Sequence, residues 1–143
     1  MSSFRTTRRI EFGDTDMAGI VHFANFFRFM EAAETEFLRS RGLSVSWREG
    51  VQSFGFPRVS ASCDFLSPVR FEDVLDIGVA IEKIGRKSVS YRFDFTLSGT
   101  PVAVGRITTV FCKHDATHGL ESADIPDGIR GRLEEIASTG DQE

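Results

Sequence analysis

The chain has 143 residues, with 17 Lys and Arg against 21 Asp and Glu, a formal charge of −4 and 41% hydrophobic residues. These are the proportions of a single globular domain. They exclude a general nucleic-acid binder, which needs a basic face, and no apolar run approaches the ~18 residues of a helical membrane span.

The elements follow in chain order. The start, MSSFRTTRRI, lacks the apolar core of a signal peptide. The stretch Arg5 to Phe12 is a candidate strand with weak alternation. Asn25 is suited to cap a helix by accepting from its first free N–H groups. Beyond it Phe26, Phe29, Met30, Ala33 and Phe37 recur at helical spacing. Arg28, Glu31, Thr35 and Arg39 take the other faces, and Gly42 suits the left-handed residue that closes a helix. About 16 residues give a helix of roughly 24 Å. The segment 43–57, with Trp47, Gly50, Gly55 and Pro57, reads as an irregular connection.

From Val59 the period becomes two. Val59, Ala61, Cys63 and Phe65 alternate with polar residues, Leu75, Ile77, Val79 and Ile81 with Asp76, Gly78, Ala80 and Glu82, and Val89, Tyr91, Phe93, Phe95 and Leu97 again with polar residues. These predict half-buried strands. The short links Gly85-Arg86 and Ser98-Gly99-Thr100 make them antiparallel. A further strand is expected over 102–113, a short terminal helix from Ile125-Pro126-Asp127, and a frayed tail over 139–143. The expectation is an α+β domain spanning 1–143 with an ordered core of about 4–135, in which an antiparallel sheet of about five strands is covered by one long helix. A chain of this size has one core and little room for a deep private pocket, so a site for a large ligand is expected between copies. The 14 phenylalanines, against one Tyr and one Trp, must mostly fill the core or an apolar interface. Cys63 and Cys112 form no CxxC unit, and a reducing cytoplasm with free thiols is expected.

The densest polar segment runs from Glu11 to Asn25 and includes Asp14, Asp16, Gly13, Gly19 and His22. It lies just before the long helix, whose N-terminus carries partial positive charge and free N–H donors. Such donors polarise a carbonyl oxygen while a nearby carboxylate attacks the carbonyl or activates water. On spacing alone, the same residues also read as an Asp-rich turn with glycines at unusual dihedrals.

The run FGDTDMAGIVHFANFFRFMEAAETEFLR resembles the signature of hotdog-fold acyl-CoA thioesterases, the 4-hydroxybenzoyl-CoA thioesterase family, through Asp14, Asp16, Gly19, Ile20, Val21 and Asn25. The likeness extends over about residues 4–135, including Leu66-Ser67-Pro68 and Asp73-Val74-Leu75. It implies a hotdog fold, a sheet wrapped around the long helix, and hydrolysis of an acyl-CoA thioester. It implies Asp16 as nucleophile or general base, the Phe23 backbone N–H as the group that polarises the thioester carbonyl, and Gly19 as the residue that lets the loop approach substrate. His22 is expected to contact the acyl group, and Asn25 to cap the helix beside the substrate rather than perform chemistry. Arg86 and Lys87, with Ser88 in the same turn, match positions that hold the phosphates of coenzyme A. The likeness further implies a homodimer, commonly paired into a homotetramer, and a reaction that needs no metal or redox cofactor. The sequence departs from relatives at His22, where an aromatic pair with Phe23 is common, and at Gly85, which leaves the acyl group open between aromatic and short aliphatic.

Other signals are weaker. His114 and His118 are four apart with Asp115 between them, but they follow a strand, so a metal site is not expected. Cys63 is expected to be a buried, inert thiol. Glu31, Glu34 and Glu36 are expected on a solvated face, with Glu34 the candidate carboxylate if a helix glutamate acts as in another hotdog branch. Two other functions compete with hydrolysis. One is an enoyl-CoA hydratase or dehydratase, for which the His would have to fall one residue earlier than His22. The other is a non-catalytic acyl-CoA-binding module, which gains little from Asp16.

Overall fold

The computed structural model describes residues 4–139. In chain order the elements are β1 (Phe4–Arg9), α1 (Asn25–Ser40), β2 (Ser46–Glu49), β3 (Gln52–Gly55), β4 (Arg58–Phe65), β5 (Val74–Ile84), β6 (Ser88–Leu97), β7 (Thr100–Val110), β8 (Cys112–Asp115), β9 (Gly119–Ser122) and α2 (Asp127–Thr139). A five-stranded antiparallel sheet has the order β1-β5-β6-β7-β4. The tight connection of β6 to β7 places Ser98 and Gly99 at φ 47° and 84°, as a primed hairpin turn requires.

α1 lies across one face of this sheet. The spacing that predicts it also decides what it buries: Phe26, Phe29, Met30, Ala33 and Phe37 are all 4% exposed or less. They meet the inward residues of the strands, Ile77, Val79, Tyr91, Phe93 and Phe95. Each such side chain removed from water contributes about 2 kcal/mol. Phe26 stands edge-on to Phe95 and Phe37 edge-on to Tyr91. Helix and sheet pack tightly at Gly105, where a Cβ would lie 2.6 Å from Met30 Sδ. The helix ends as expected. Gly42 takes φ 72°, and Leu43 N–H and Gly42 N–H return to the carbonyls of Leu38 and Arg39 at 2.8 and 3.0 Å, which is the Schellman closure.

Four expectations need correction. The segment 43–57 is not irregular: β2 and β3 form a hairpin that joins β8 and β9 in a second, four-stranded sheet of order β2-β3-β8-β9. The strand expected over 102–113 is two strands. Phe111, 2% exposed, lies between β7 and β8; its N–H bonds to Lys87 O and its carbonyl accepts from Ala123 N–H. Stacking of Phe54 on both Trp47 and Phe111 holds the second sheet together. β4 is not half-buried but an edge strand, with Val59 62% and Phe65 47% exposed. Asn25 does not cap α1: the cap position is Ala24, already in a helical conformation, and no side chain caps the helix. The terminal helix begins at Asp127 as expected; the tail beyond residue 139 lies outside the described residues. No helix among the described residues is long and apolar enough to cross a membrane.

Candidate active site

The segment between β1 and α1 folds back on itself as a miniature hairpin. Asp16 N–H bonds to Ile20 O and His22 N–H to Asp14 O, both at 2.9 Å, bridging Thr15 to Val21. Its tip is the turn Asp16-Met17-Ala18-Gly19, closed by Gly19 N–H on Asp16 O at 2.9 Å. Gly19 sits at φ 80°, where a Cβ is strained. Asp16 Oδ1 accepts the Ala18 N–H at 2.9 Å. One carboxylate oxygen therefore orients the side chain, and Asp16 stays exposed at the turn.

Asp16 lines an open cleft of about 530 Å³ whose walls include Ile20, Phe23, Phe26, Phe65 and Pro68. Phe65 stands edge-on to both Phe23 and Phe26. The wall is apolar apart from Asp16 and Ser67. The Phe23 N–H, just ahead of the first turn of α1, donates to no carbonyl or side chain among the described residues. It is an available donor at the positive end of a 16-residue helix. The arrangement places a carboxylate on an apolar cleft walled in part by Phe23, the residue that carries the unengaged N–H; attack on a carbonyl carbon uses a carboxylate and a donor of this kind. A cleft of similar size, about 570 Å³, lies between the second sheet and α2, lined by Trp47, Phe54, Phe111 and Ile129. It contains none of the residues of the Asp16 loop, so chemistry rather than volume selects the first.

The other expected residues divide. The ring of His22 rests on Phe23 with centroids 4.9 Å apart and lies outside the cleft wall. The Asn25 amide is engaged within the chain: Nδ2 donates to Asp14 O at 2.8 Å. Asp14, 6% exposed, accepts the Glu11 N–H on Oδ2 at 2.8 Å and lies 4.0 Å from Arg8 Nη2. Arg86 and Lys87 are not brought to Asp16. Their turn follows the far end of β5, whereas the Asp16 loop is tied to the near end, through Ile10 N–H on Asp73 O and Val21 N–H on Val69 O. The 11 residues of β5 separate the two by roughly 33 Å. Arg86 pairs with Asp124 at 3.2 Å while 74% exposed, and Lys87 Nζ donates to Ser122 Oγ at 3.4 Å. These are weak surface contacts that an anion can displace. Ser88 Oγ sits 2.6 Å from where a Gly85 Cβ would be, so a larger residue at 85 makes the Ser88 hydroxyl move. Arg130 of α2 braces the same turn by donating to Gly85 O at 2.6 Å.

The glutamates of α1 are not all solvated. Glu34 is fully buried and accepts from Arg58, far from the cleft. Glu36 accepts from Thr6 Oγ1. Cys63 is half-buried, and burial pushes its thiol up to about 11, which leaves it un-ionised near neutrality. His114 lies on β8 and His118 in the following turn, where its N–H and ring engage Asp115. Sequence reasoning gave no role to Phe65 and the β4–β5 loop, which form the cleft wall opposite Phe23. The available signal was the exposed apolar run Phe65-Leu66, which continues past the end of the alternation.

Comparison with known proteins agrees with this geometry. Residues 10–133 match the model of the thioesterase-like superfamily. A 1,4-dihydroxy-2-naphthoyl-CoA hydrolase of Nostoc punctiforme is 33% identical over 132 residues, 92% of this chain and 87% of the relative. A 4-hydroxybenzoyl-CoA thioesterase of a Pseudomonas species is 39% identical over 93 residues, 63% of this chain and 65% of the relative. Among solved structures, a gentisyl-coenzyme A thioesterase superimposes with TM-score 0.76 at 28% identity, covering 91% of this chain and 99% of the other. An Asp-to-Asn mutant of 4-hydroxybenzoyl-CoA thioesterase, complexed with 4-hydroxybenzoyl-CoA, does so with TM-score 0.77 at 26% identity, covering 91% and 97%. With this fold, this loop and a family match over most of its length, the chain belongs to the thioesterase-like superfamily and is a thioester hydrolase.

Proposed function

We propose that the protein hydrolyses an acyl-CoA thioester to a free acid and coenzyme A, with Asp16 as the reacting carboxylate. The observation that supports this most is the placement of Asp16 on the apolar cleft that Phe23, whose N–H is unengaged, helps to wall. The thioester carbonyl oxygen accepts from Phe23 N–H and meets the positive end of α1. In the general-base form, Asp16 takes a proton from water as the water oxygen bonds to the carbonyl carbon. The C–S bond then breaks, and the departing thiolate of coenzyme A recovers the proton. In the nucleophilic form, an Asp16 oxygen bonds to the carbonyl carbon, the thiolate leaves, and water then opens the mixed anhydride. A carboxylate, a water and a helix-end N–H suffice for either, so no metal or redox cofactor is assigned.

The acyl group assigned is compact, aromatic or short-chain, because Phe23, Phe26 and Phe65 wall a cleft of about 530 Å³ and because the named relatives act on aromatic acyl-CoA thioesters. Arg86, Lys87 and Ser88 are assigned to the phosphates of coenzyme A, whose oxygens suit compact cations and hydroxyl donors. Because that turn and Asp16 are held at opposite ends of β5 in one chain, the two sets act together only across subunits. The working form is a homodimer or homotetramer, and the open edge of β4 is the surface for pairing. The proposed location is the cytoplasm.

The test is free-thiol release from a panel of acyl-CoA thioesters, compared by kcat/KM, for wild type and Asp16→Asn. Loss of nearly all turnover with folding and acyl-CoA binding retained supports the assignment. Near-normal thiol release by Asp16→Asn removes it. Label found in the Asp16 carboxylate after single-turnover hydrolysis in ¹⁸O water establishes the nucleophilic form, in which water opens the anhydride at the Asp16 carbonyl carbon.

A further inference from the structure

We propose that Asn25 is a positioning residue that sets the separation between the Asp16 carboxylate and the Phe23 N–H. The inference rests on the thioesterase reading above and adds to it a part for a side chain that touches no substrate. A single carbonyl oxygen, that of Asp14, accepts two hydrogen bonds: from His22 N–H at 2.9 Å and from Asn25 Nδ2 at 2.8 Å. Phe23 lies between these two donors in sequence, and Asp16 lies two residues after the acceptor. The peptide that offers the polarising N–H is thus tied on both sides to the strand that carries the carboxylate.

The acceptor is itself fixed. Asp14 is 6% exposed, and its carboxylate receives the Glu11 N–H at 2.8 Å, with Arg8 Nη2 4.0 Å away. The His22 bond is a backbone bond that any residue there can form. The Asn25 bond depends on a side-chain amide of this length, and that amide is not spent on capping, because no side chain caps α1. Without it, the first turn of α1 keeps its burial through Phe26 but loses its side-chain tie to the Asp16 loop. A misplacement of about 1 Å between reacting groups lowers turnover by up to roughly 10²-fold.

The experiment is Asn25→Asp, read by steady-state kinetics on an accepted acyl-CoA and by thermal unfolding, with Asn25→Ala and Asp16→Asn alongside. Asn25→Asp keeps the size and shape but faces the Asp14 carbonyl with a carboxylate oxygen. A purely structural role predicts unchanged kcat in the folded protein with lower thermal stability, the lost bond being offset only in part by an added anion in the first helical turn. The positioning role predicts kcat lowered by roughly 10- to 100-fold, KM within about twofold of wild type, and the same fractional loss for every acyl group tested. Asn25→Ala, which removes the donor and adds no charge, is expected to show the same pattern and keeps the test decisive if Asn25→Asp folds poorly. Wild-type kcat in the folded variants overturns the inference, and so does a raised KM with kcat intact, which would make Asn25 a substrate contact. Wild-type kcat in Asn25→Asp beside an inactive Asp16→Asn refutes positioning alone, whereas an active Asp16→Asn refutes the underlying reading.

Discussion

Arg58 donates through Nε and Nη2 to the same oxygen of Glu34, at 2.9 and 2.7 Å, and the second Glu34 oxygen is buried with no hydrogen-bond partner among the described residues. Glu34 is fully buried on α1, and Arg58 opens edge strand β4. The pair therefore joins helix to sheet edge. Removing one member leaves a buried charge uncompensated, at a cost of about 3 kcal/mol or more. Arg58→Met is expected to lower the unfolding free energy by that order in urea titration, with Asp16 chemistry unchanged in the protein that remains folded.

The same pair predicts a pH dependence. Burial pushes the Glu34 carboxyl above its ordinary value of 4.5, against the pull of Arg58 and helped by nearby Glu31. A carboxyl with a folded pKa above its unfolded one binds more protons folded than unfolded. Its contribution is therefore greatest at low pH, and stability falls as pH rises from about 4.5 through the folded value. Glu34→Gln is expected to flatten that fall. Urea midpoints measured at several pH values from about 4 to about 8 check it; parallel profiles for both proteins would count against it.

Gly19 separates backbone strain from steric conflict. Its φ is 80°, yet a Cβ there would meet nothing within 4 Å. Gly19→Ala is expected to cost about 1–2 kcal/mol through conformation alone, and to lower kcat because the turn carries Asp16. Gly19→Asn, which tolerates the left-handed region better, is expected to recover part of both. Equal loss in the two variants would point to contact with substrate instead.

Gly105 is the reverse case, with ordinary backbone and no space. A Cβ would lie 2.6 Å from Met30 Sδ and 2.8 Å from Met30 Cε, and Met30 is fully buried between helix and sheet. Gly105→Ala is expected to destabilise by about 1–3 kcal/mol. Met30→Ala made in the same chain should relieve the clash, so the two changes should be non-additive in a thermal-unfolding double-mutant cycle.

Much of this architecture is legible in the chain because local chemistry and burial agree. The stripe from Phe26 to Phe37 and the glycine at 42 specify α1 and its end, and clean alternation specifies β5 and β6. The second sheet escapes notice because its strands are four residues long, too short for a period to show, and because the pairing of Gly55 with Cys112 is non-local. β4 alternates like a half-buried strand but lies at the edge of the sheet, where Val59 and Phe65 stay exposed. In the candidate site, spacing alone leaves Asp16 and Gly19 readable as an Asp-rich turn, and the parts given to Asp16, Gly19 and Phe23 come from the family resemblance. Asn25 is misread because the nearby Asp14 carbonyl offers its amide a partner that the sequence order does not reveal. The separation of Arg86 and Lys87 from Asp16 within one chain agrees with the expectation of a site between copies, and the length of β5 sets its extent.

That strand length turns β5 into a ruler with an outcome for mixed assemblies. A chain carrying Asp16→Asn retains a sound phosphate turn, and a chain carrying Arg86→Ala and Lys87→Ala retains a sound carboxylate. If each site draws one set from each chain, unfolding and refolding the two impaired proteins together should yield hybrids in which some sites hold both intact sets. Turnover at low acyl-CoA concentration should then exceed the sum of the separate proteins, with a wild-type KM. This complementation is expected if the 11 residues of β5, Val74–Ile84, hold the two sets too far apart for one chain to serve both ends of its own substrate.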